Sequence, residues 1–236
     1  ICAFIHRVDP DIIDMQEVLH HQLEVLKTGL PEYTVVGVGR EDGKTAGEYA
    51  PIFFKQAKYT LLDQNTFWLC EKPDSVGMVG WDAALTRIAT WVKLQDKKTG
   101  QILMVVNTHF DHIGTEARRN SALLIIEKIK EIVGTSPAIL TGDFNVSEDW
   151  DAYKTITNNE FILKDAHKVA GKRTGVDFTY HNFGKIPAEK CEKIDFIFVT
   201  PQIRVISSYI PFSQLNDTLF LSDHNPEIVE LEIEKS

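Results

Sequence analysis

The chain has 236 residues, of which 43% are hydrophobic and 25% charged, proportions that exclude collagen, a coiled coil and wholesale disorder. Its net charge of -9, from 25 Lys and Arg against 34 Asp and Glu, disfavours tight, sequence-blind nucleic-acid binding, which comes from neutralising phosphates. No apolar run approaches the ~20 residues of a helical membrane span, and the scattered Cys2, Cys70 and Cys191 form neither a disulfide framework nor a zinc pair.

In chain order, Ile1, Ala3, Phe4, Ile5 and Val8 read as the last turns of an amphipathic helix that Asp9 and Pro10 stop. A helix already under way at residue 1 implies missing upstream sequence. The compartment is therefore open, and a leader for secretion would lie in that segment. Residues 11–16 form a short buried strand. Leu19, Leu23, Leu26 and Leu30 form a helical stripe over 18–30. Residues 33–38, 51–55 and 59–67 read as strands. The stretches 39–47 and 71–82, rich in Gly and charge, read as surface loops.

Residues 87–94 alternate as a strand, 96–100 form a hairpin turn, and 101–108 form the partner strand. Within the latter, Ile102, Leu103, Met104, Val105 and Val106 are continuously apolar, as in strands covered on both faces. The longest helix spans 116–133. Leu123, Leu124, Ile126, Ile129, Ile132 and Val133 are assigned to its buried side, and Arg118, Arg119, Glu127, Lys128 and Lys130 to its exposed side. A buried strand over 137–141, a short helix over 148–156, an irregular polar stretch over 157–192 (including a loop at 171–175) and strands over 194–199, 204–210 and 226–233 complete the chain. One domain covering 1–236 is expected, with mixed or mainly antiparallel sheets and helices outside.

The polar residues of interest fall at the ends of apolar strands, where a rigid scaffold reaches solvent. Glu17 follows the strand at 11–16, His109 the strand at 101–108, and Asp143 and Asn145 the strand at 137–141. Asp195 opens the strand at 194–199, and Asp223 and His224 precede that at 226–233. Each has an ordinary alternative as a turn or capping residue. Asp195 is the hardest to dismiss, because it lies between Ile194 and Phe196 and a buried carboxylate is costly unless paired.

Taken together and in order, Gln16-Glu17, Asn107-Thr108-His109, Gly142-Asp143-Phe144-Asn145, Ile194-Asp195-Phe196-Ile197 and Ser222-Asp223-His224-Asn225-Pro226 resemble the signatures of the endonuclease/exonuclease/phosphatase superfamily, in its bacterial form. The resemblance implies the deoxyribonuclease I-like α+β fold, a sandwich of two mixed β-sheets flanked by helices. It also implies that a first strand, bearing an Asn near the metal, lies upstream of Ile1 and is missing from this chain.

The implied chemistry is hydrolysis of a phosphoester by a metal-activated water attacking phosphorus. Glu17 matches the primary ligand of Mg²⁺, which Mn²⁺ can replace, and Asp223 a further acidic position. Mg²⁺ prefers oxygen ligands and uses one or two carboxylates. Asp143 and Asn145 match the pair that orients the water. His224 matches the phosphate-contacting histidine, held by the carboxylate of Asp195. His109 would donate to the leaving group, Arg87 would pair with phosphate oxygens, and His112 would contact substrate.

Weaker assignments follow. Arg118 reads as a surface pair, and Phe178, Tyr180, His181 and Phe183 as filling under a long loop or stacking on substrate. Trp68, Trp81 and Trp91 read as core, and His6, His20, His21 and His167 as surface or helix-end residues. A phosphodiesterase or nuclease acting as a monomer on a nucleic acid, a nucleotide or a phospholipid headgroup is expected. The alternatives are a phosphomonoesterase, a sphingomyelinase-like lipid phosphoesterase, and a catalytically silent binding module on the same fold. A protein that pairs through the exposed edge left by the missing strand is a further alternative. A zinc enzyme lacks a ligand cluster.

Overall fold

A strand that is apolar on both sides must be covered on both faces, and the protein provides that cover in layers. The structure is a computed structural model describing residues 1–134, 136–158, 163–216 and 219–234. Helix α1 (Cys2–Val8) leads to β1 (Ile12–Asp14), α2 (His20–Gly29), β2 (Tyr33–Val36) and β3 (Ile52–Lys55). Then come β4 (Tyr59–Trp68), β5 (Ile88–Asp96), β6 (Ile102–His109), α3 (Thr115–Val133), β7 (Ala138–Asp143) and α4 (Asp151–Thr157). The chain continues through β8 (Lys164–Asp165), α5 (Ala166–Val169), β9 (Lys172–Gly175), β10 (Asp195–Val199) and β11 (Ile203–Ile210). The small hairpin of β12 (Gln214–Asn216) and β13 (Leu219–Phe220) precedes β14 (Ile228–Ile233).

The central layer is a six-stranded sheet in the order β4-β5-β6-β7-β10-β8. It is antiparallel except that β6 and β7 run parallel, joined by α3 as the crossover. Two three-stranded sheets, β1-β3-β2 and β14-β11-β9, pack on one face. Phe54, Val92, Leu94, Leu103, Val105, Ile139 and Val205 meet between the layers. On the other face Ile125, Ile126, Ile129 and Val133 of α3 pack with Leu140, Phe144, Phe196 and Phe198. Helices α1 and α2 cover β1-β3-β2 from outside, through Ile5, Leu23, Leu26 and Phe53. The expected sandwich flanked by helices is thus present. Its second layer is divided at a cavity of about 810 Å³ that is bordered by β1 and β14.

Some local expectations are corrected. In α3 the buried face carries Ala117, Arg118, Ser121, Ala122, Ile125, Ile126, Ile129 and Val133, whereas Leu123 is exposed. Aliphatic residues span more than one face of this helix, and packing on the sheet selects the phase. Arg118 belongs to the buried face because its guanidinium finds the carbonyl of Asp111 at 2.9 Å. The stretch 157–192 is not irregular throughout, since it contains β8, α5 and β9. Residues 172–175 form an exposed strand parallel to β11, a pairing that no local hydrophobic pattern announces. Residues 159–162 of that stretch lie outside the described residues. His167 is buried, with Nδ1 2.8 Å from Ser208 Oγ. Trp68 and Trp91 are core, as expected, but Trp81 is half-buried at φ 47° on a turn.

Candidate active site

The site is assembled by register. Across three adjacent strands, His109 of β6 faces Asp143 of β7, and Asp143 faces Asp195 of β10. Because β6 and β7 are parallel and β10 antiparallel, two strand ends and one strand start lie side by side. Gly142 permits the close approach of β6 to β7: a Cβ there would lie 2.3 Å from the Thr108 carbonyl oxygen. The buried Asn107 fixes the facing segment. Its Nδ2 donates to the carbonyls of Met15 and Pro51, and its Oδ1 accepts from Gln16 Nε2 at 2.7 Å. This anchors the chain next to Glu17, whose backbone is left-handed at φ 61°. Asp223 is held by its carbonyl, which accepts from the backbone of the buried His181. Tyr180 bridges to His224, their rings 4.9 Å apart.

The hydrogen bonds and charges define what each group can do. His224 Nδ1 lies 2.7 Å from Asp195 Oδ2, leaving Nε2 3.9 Å from Asp143 Oδ2. Burial alone would lower the pKa of His224, but the charge and hydrogen bond of Asp195, then Asp143 and Asp223, lift it to about 9. This imidazole is therefore a cation at neutral pH. His109, with Nε2 3.6 Å from Asp143 Oδ2, is the opposite case. Burial, then Arg87 and Arg40, push its pKa well down, so it offers a neutral N–H rather than a labile proton. Burial, followed by the charge of Asp195, raises the pKa of Asp143, as expected of a carboxylate poised to take a proton. Asn145 sits at φ 50°, its backbone N–H on Asp143 Oδ1 and its Nδ2 on the Phe110 carbonyl.

On the other flank Arg87 is buried, with Nε 3.5 Å from Asp111 Oδ2 and Nη2 3.1 Å from His112 Nδ1. Its Nε and Nη1 make no hydrogen bond among the described residues, so buried donors stand ready for an anion. Asp111 is buried, yet backbone N–H groups led by those of Gly114 and Ile113 hold it at about 2, which keeps it charged opposite Arg87. Two residues that the sequence reading missed join here. Arg40, buried and paired with Glu48, acts electrostatically on Arg87 and His109, and Glu48 acts on Glu17 and Arg87. They come from a stretch with the composition of an ordinary surface loop, and nothing local marks them.

The acidic side suits a hard divalent cation. The carboxylate of Glu17 lies against the cavity wall, and that partial burial, then Glu48 and Asp223, raise its pKa. Such crowding of like charges is what a bound cation relieves. Ligand atoms of Asp143, Asp195 and His224 also lie within 4.8 Å of one another. The short Asp195–His224 hydrogen bond already occupies that set, whereas the carboxylates of Glu17 and Asp223 offer oxygen donors of the kind a hard cation prefers. All nine residues singled out from the sequence thus fall around the strand ends. His112 does so through Arg87, whose Nη2 lies 3.1 Å from its Nδ1.

Known proteins share this fold. A protein from Bacteroides vulgatus described as an endonuclease/exonuclease/phosphatase is 64% identical, with a TM-score of 0.96 over 99% of this chain and 88% of that one. The mannosyl-6-phosphatase of Bacteroides thetaiotaomicron is 37% identical, with a TM-score of 0.92 over 98% and 89% of the two chains. The L388 protein of Acanthamoeba polyphaga mimivirus is 28% identical over 98% of this chain and 90% of its own length. The human Nocturnin catalytic domain, at 18% identity and a TM-score of 0.76 over 97% and 83% of the chains, shares the fold. The model of the Endonuclease/Exonuclease/phosphatase family matches residues 1–224, and the chain belongs to that family.

Proposed function

We propose that the protein is a metal-dependent hydrolase of small phosphoesters, with water as the nucleophile and a phosphorylated sugar as the preferred substrate class. The observation that carries this reading is the row His109, Asp143, Asp195 with His224 bonded to its end. It joins a base, a neutral hydrogen-bond donor and a cation in one cleft. Asp143 takes the proton of a water that Asn145 holds in line with phosphorus. The cation of His224, fixed by Asp195, binds a non-bridging phosphate oxygen where negative charge grows. Arg87 binds a second such oxygen with its unpaired donors, and His112 orients Arg87. As the water oxygen bonds to phosphorus the ester P–O bond breaks. The leaving oxygen departs hydrogen-bonded to His109 and gains its proton from solvent. Glu17 and Asp223 would hold the divalent cation, Mg²⁺ or Mn²⁺, which when bound neutralises the acidic rim and polarises the phosphate.

The choice of a sugar phosphate rests on the named activity of the 37% identical relative and on the net charge of -9, which opposes long nucleic acids. The nuclease or phosphodiesterase reading rests on the shared motifs, which set the reaction and not the substrate. The test is turnover of p-nitrophenyl phosphate, bis-p-nitrophenyl phosphate and a panel of hexose phosphates with Mg²⁺, with Mn²⁺ or with EDTA. Turnover should require the metal and fall at least ~100-fold in His224→Ala. A loss under tenfold removes His224 from the mechanism. Hydrolysis of the diester alone would favour the phosphodiesterase reading, and no turnover with any metal would refute both.

A further inference from the structure

The catalytic roles leave unused a second cavity of about 290 Å³, beside the strand ends. Its walls are Thr115, Arg118 and Arg119 from the first turns of α3 and Asp149, Trp150 and Asp151 at the start of α4. Val146, which follows Asn145 directly, also lines it. Arg118 is tied to the carbonyl of Asp111, two residues after His109. Asn145 and Val146 are consecutive, so their Cα atoms lie ~3.8 Å apart, and the cavity wall adjoins the catalytic loop.

Two independent features of this cavity bear on what it could hold. Arg118 is only 4% exposed, and its Nε has no hydrogen-bond partner among the described residues, an arrangement that disfavours the unliganded state. Trp150 is 44% exposed, and it occupies the N-cap position of α4 with no side-chain capping bond. A Ser, Asp or Asn there would stabilise the helix by ~1 kcal/mol. Instead the position presents an exposed indole in the cavity wall, braced by the Arg118 guanidinium 5.0 Å from the ring centroid.

We propose that this cavity is the subsite for the sugar ring of a phosphorylated sugar whose phosphate lies among His109, Asp143 and His224, an inference that rests on the function proposed above. The volume suits a single ring rather than an extended ligand. The C–H face of a pyranose, weakly positive, packs on the negative face of an exposed indole. Asp149 and Asp151, both exposed, are acceptors for its hydroxyl groups, and Arg118 backs the indole on which the ring stacks. A nucleobase could stack on Trp150 as well. The same two carboxylates, however, repel the flanking phosphates that a polynucleotide would bring.

The decisive experiment separates the subsite from catalysis by titrating the metal-free protein with an unphosphorylated methyl mannoside, with adenosine and with inorganic phosphate while following tryptophan fluorescence. The expected result is a saturable change with the glycoside that disappears in Trp150→Leu and weakens at least tenfold in Asp149→Asn combined with Asp151→Asn. The Asn variants keep the shape of the site and guard against a folding defect in Trp150→Leu. In the kinetic arm, the ratio of kcat/KM for a hexose 6-phosphate to that for p-nitrophenyl phosphate should fall at least tenfold in Trp150→Leu. No response to the glycoside, or a response to adenosine alone, overturns the proposal. If every phosphoester resists hydrolysis with every metal, the proposed function fails while the titration still decides the subsite.

Discussion

Replacing Asp14 by Asn should change how the stability of this protein depends on pH. Asp14 ends β1, where its Oδ2 accepts from Thr141 Oγ1 at 2.8 Å and its Oδ1 is buried without a partner. Burial raises its pKa from 3.8 to about 7, against the opposing hydrogen bond from Thr141. In the unfolded chain the carboxyl ionises near its ordinary value. Between pH ~4 and ~7 the native state therefore binds a proton that the unfolded state has released, and stability falls as pH rises through this window. A difference of about three pH units at 1.36 kcal/mol each corresponds to about 4 kcal/mol at full burial. Asn cannot ionise, and any cost of its amide group is the same at every pH. Chemical denaturation of the two proteins at pH 3.5 and pH 8 isolates the effect. The variant should gain up to about 4 kcal/mol on the wild type between the two. A stability difference that moves by less than about 1 kcal/mol would show that Asp14 is solvated in the native state, and would refute the argument.

Two further expectations follow from the site. Glu17→Gln should weaken Mg²⁺ binding, measured by calorimetric titration, at least ~10-fold, while shifting folding stability by less than about 1 kcal/mol. A variant that unfolds with its metal affinity intact would make Glu17 a structural residue, and a folded one with intact affinity would remove it from the metal site. Gly142→Ala should cost at least ~2 kcal/mol in chemical denaturation, because φ is 157° and the new Cβ would meet the Thr108 carbonyl. A cost below ~1 kcal/mol would mean that β6 and β7 can separate without penalty.

Much of this site was legible in the sequence because strand ends are local features. The apolar runs before His109 and Asp143 and after Asp195 predict buried strands, and a polar residue where such a run stops must sit at the rim of the core. Glu17, Asp223 and His224 obey the same rule. Many strand patterns beside few long helices also pointed to mixed sheets with helices outside, and the family resemblance to their stacking as a sandwich. The pairing itself was not legible. That His109, Asp143 and Asp195 share one row depends on register between segments far apart in the chain. A slip of one residue would leave the local sequence pattern unchanged while turning each side chain to the opposite face.

Other features were silent for related reasons. Asn107 stands in a motif, but its anchoring role appears only when the carbonyls of Met15 and Pro51 arrive from elsewhere in the chain. Arg40 and Glu48 join the site only because their loop folds back over Trp68, whose indole N–H donates to the Arg40 carbonyl. The phase of α3 was misjudged because Leu123 and Ile126 are equally apolar, and only contact with the sheet decides which one faces inward. Local sequence determined which residues could be strand, helix or strand-end chemistry, since propensity and periodicity act over a few bonds. Tertiary structure alone decided which of them meet, because burial, charge coupling and register arise between groups that the chain itself keeps far apart.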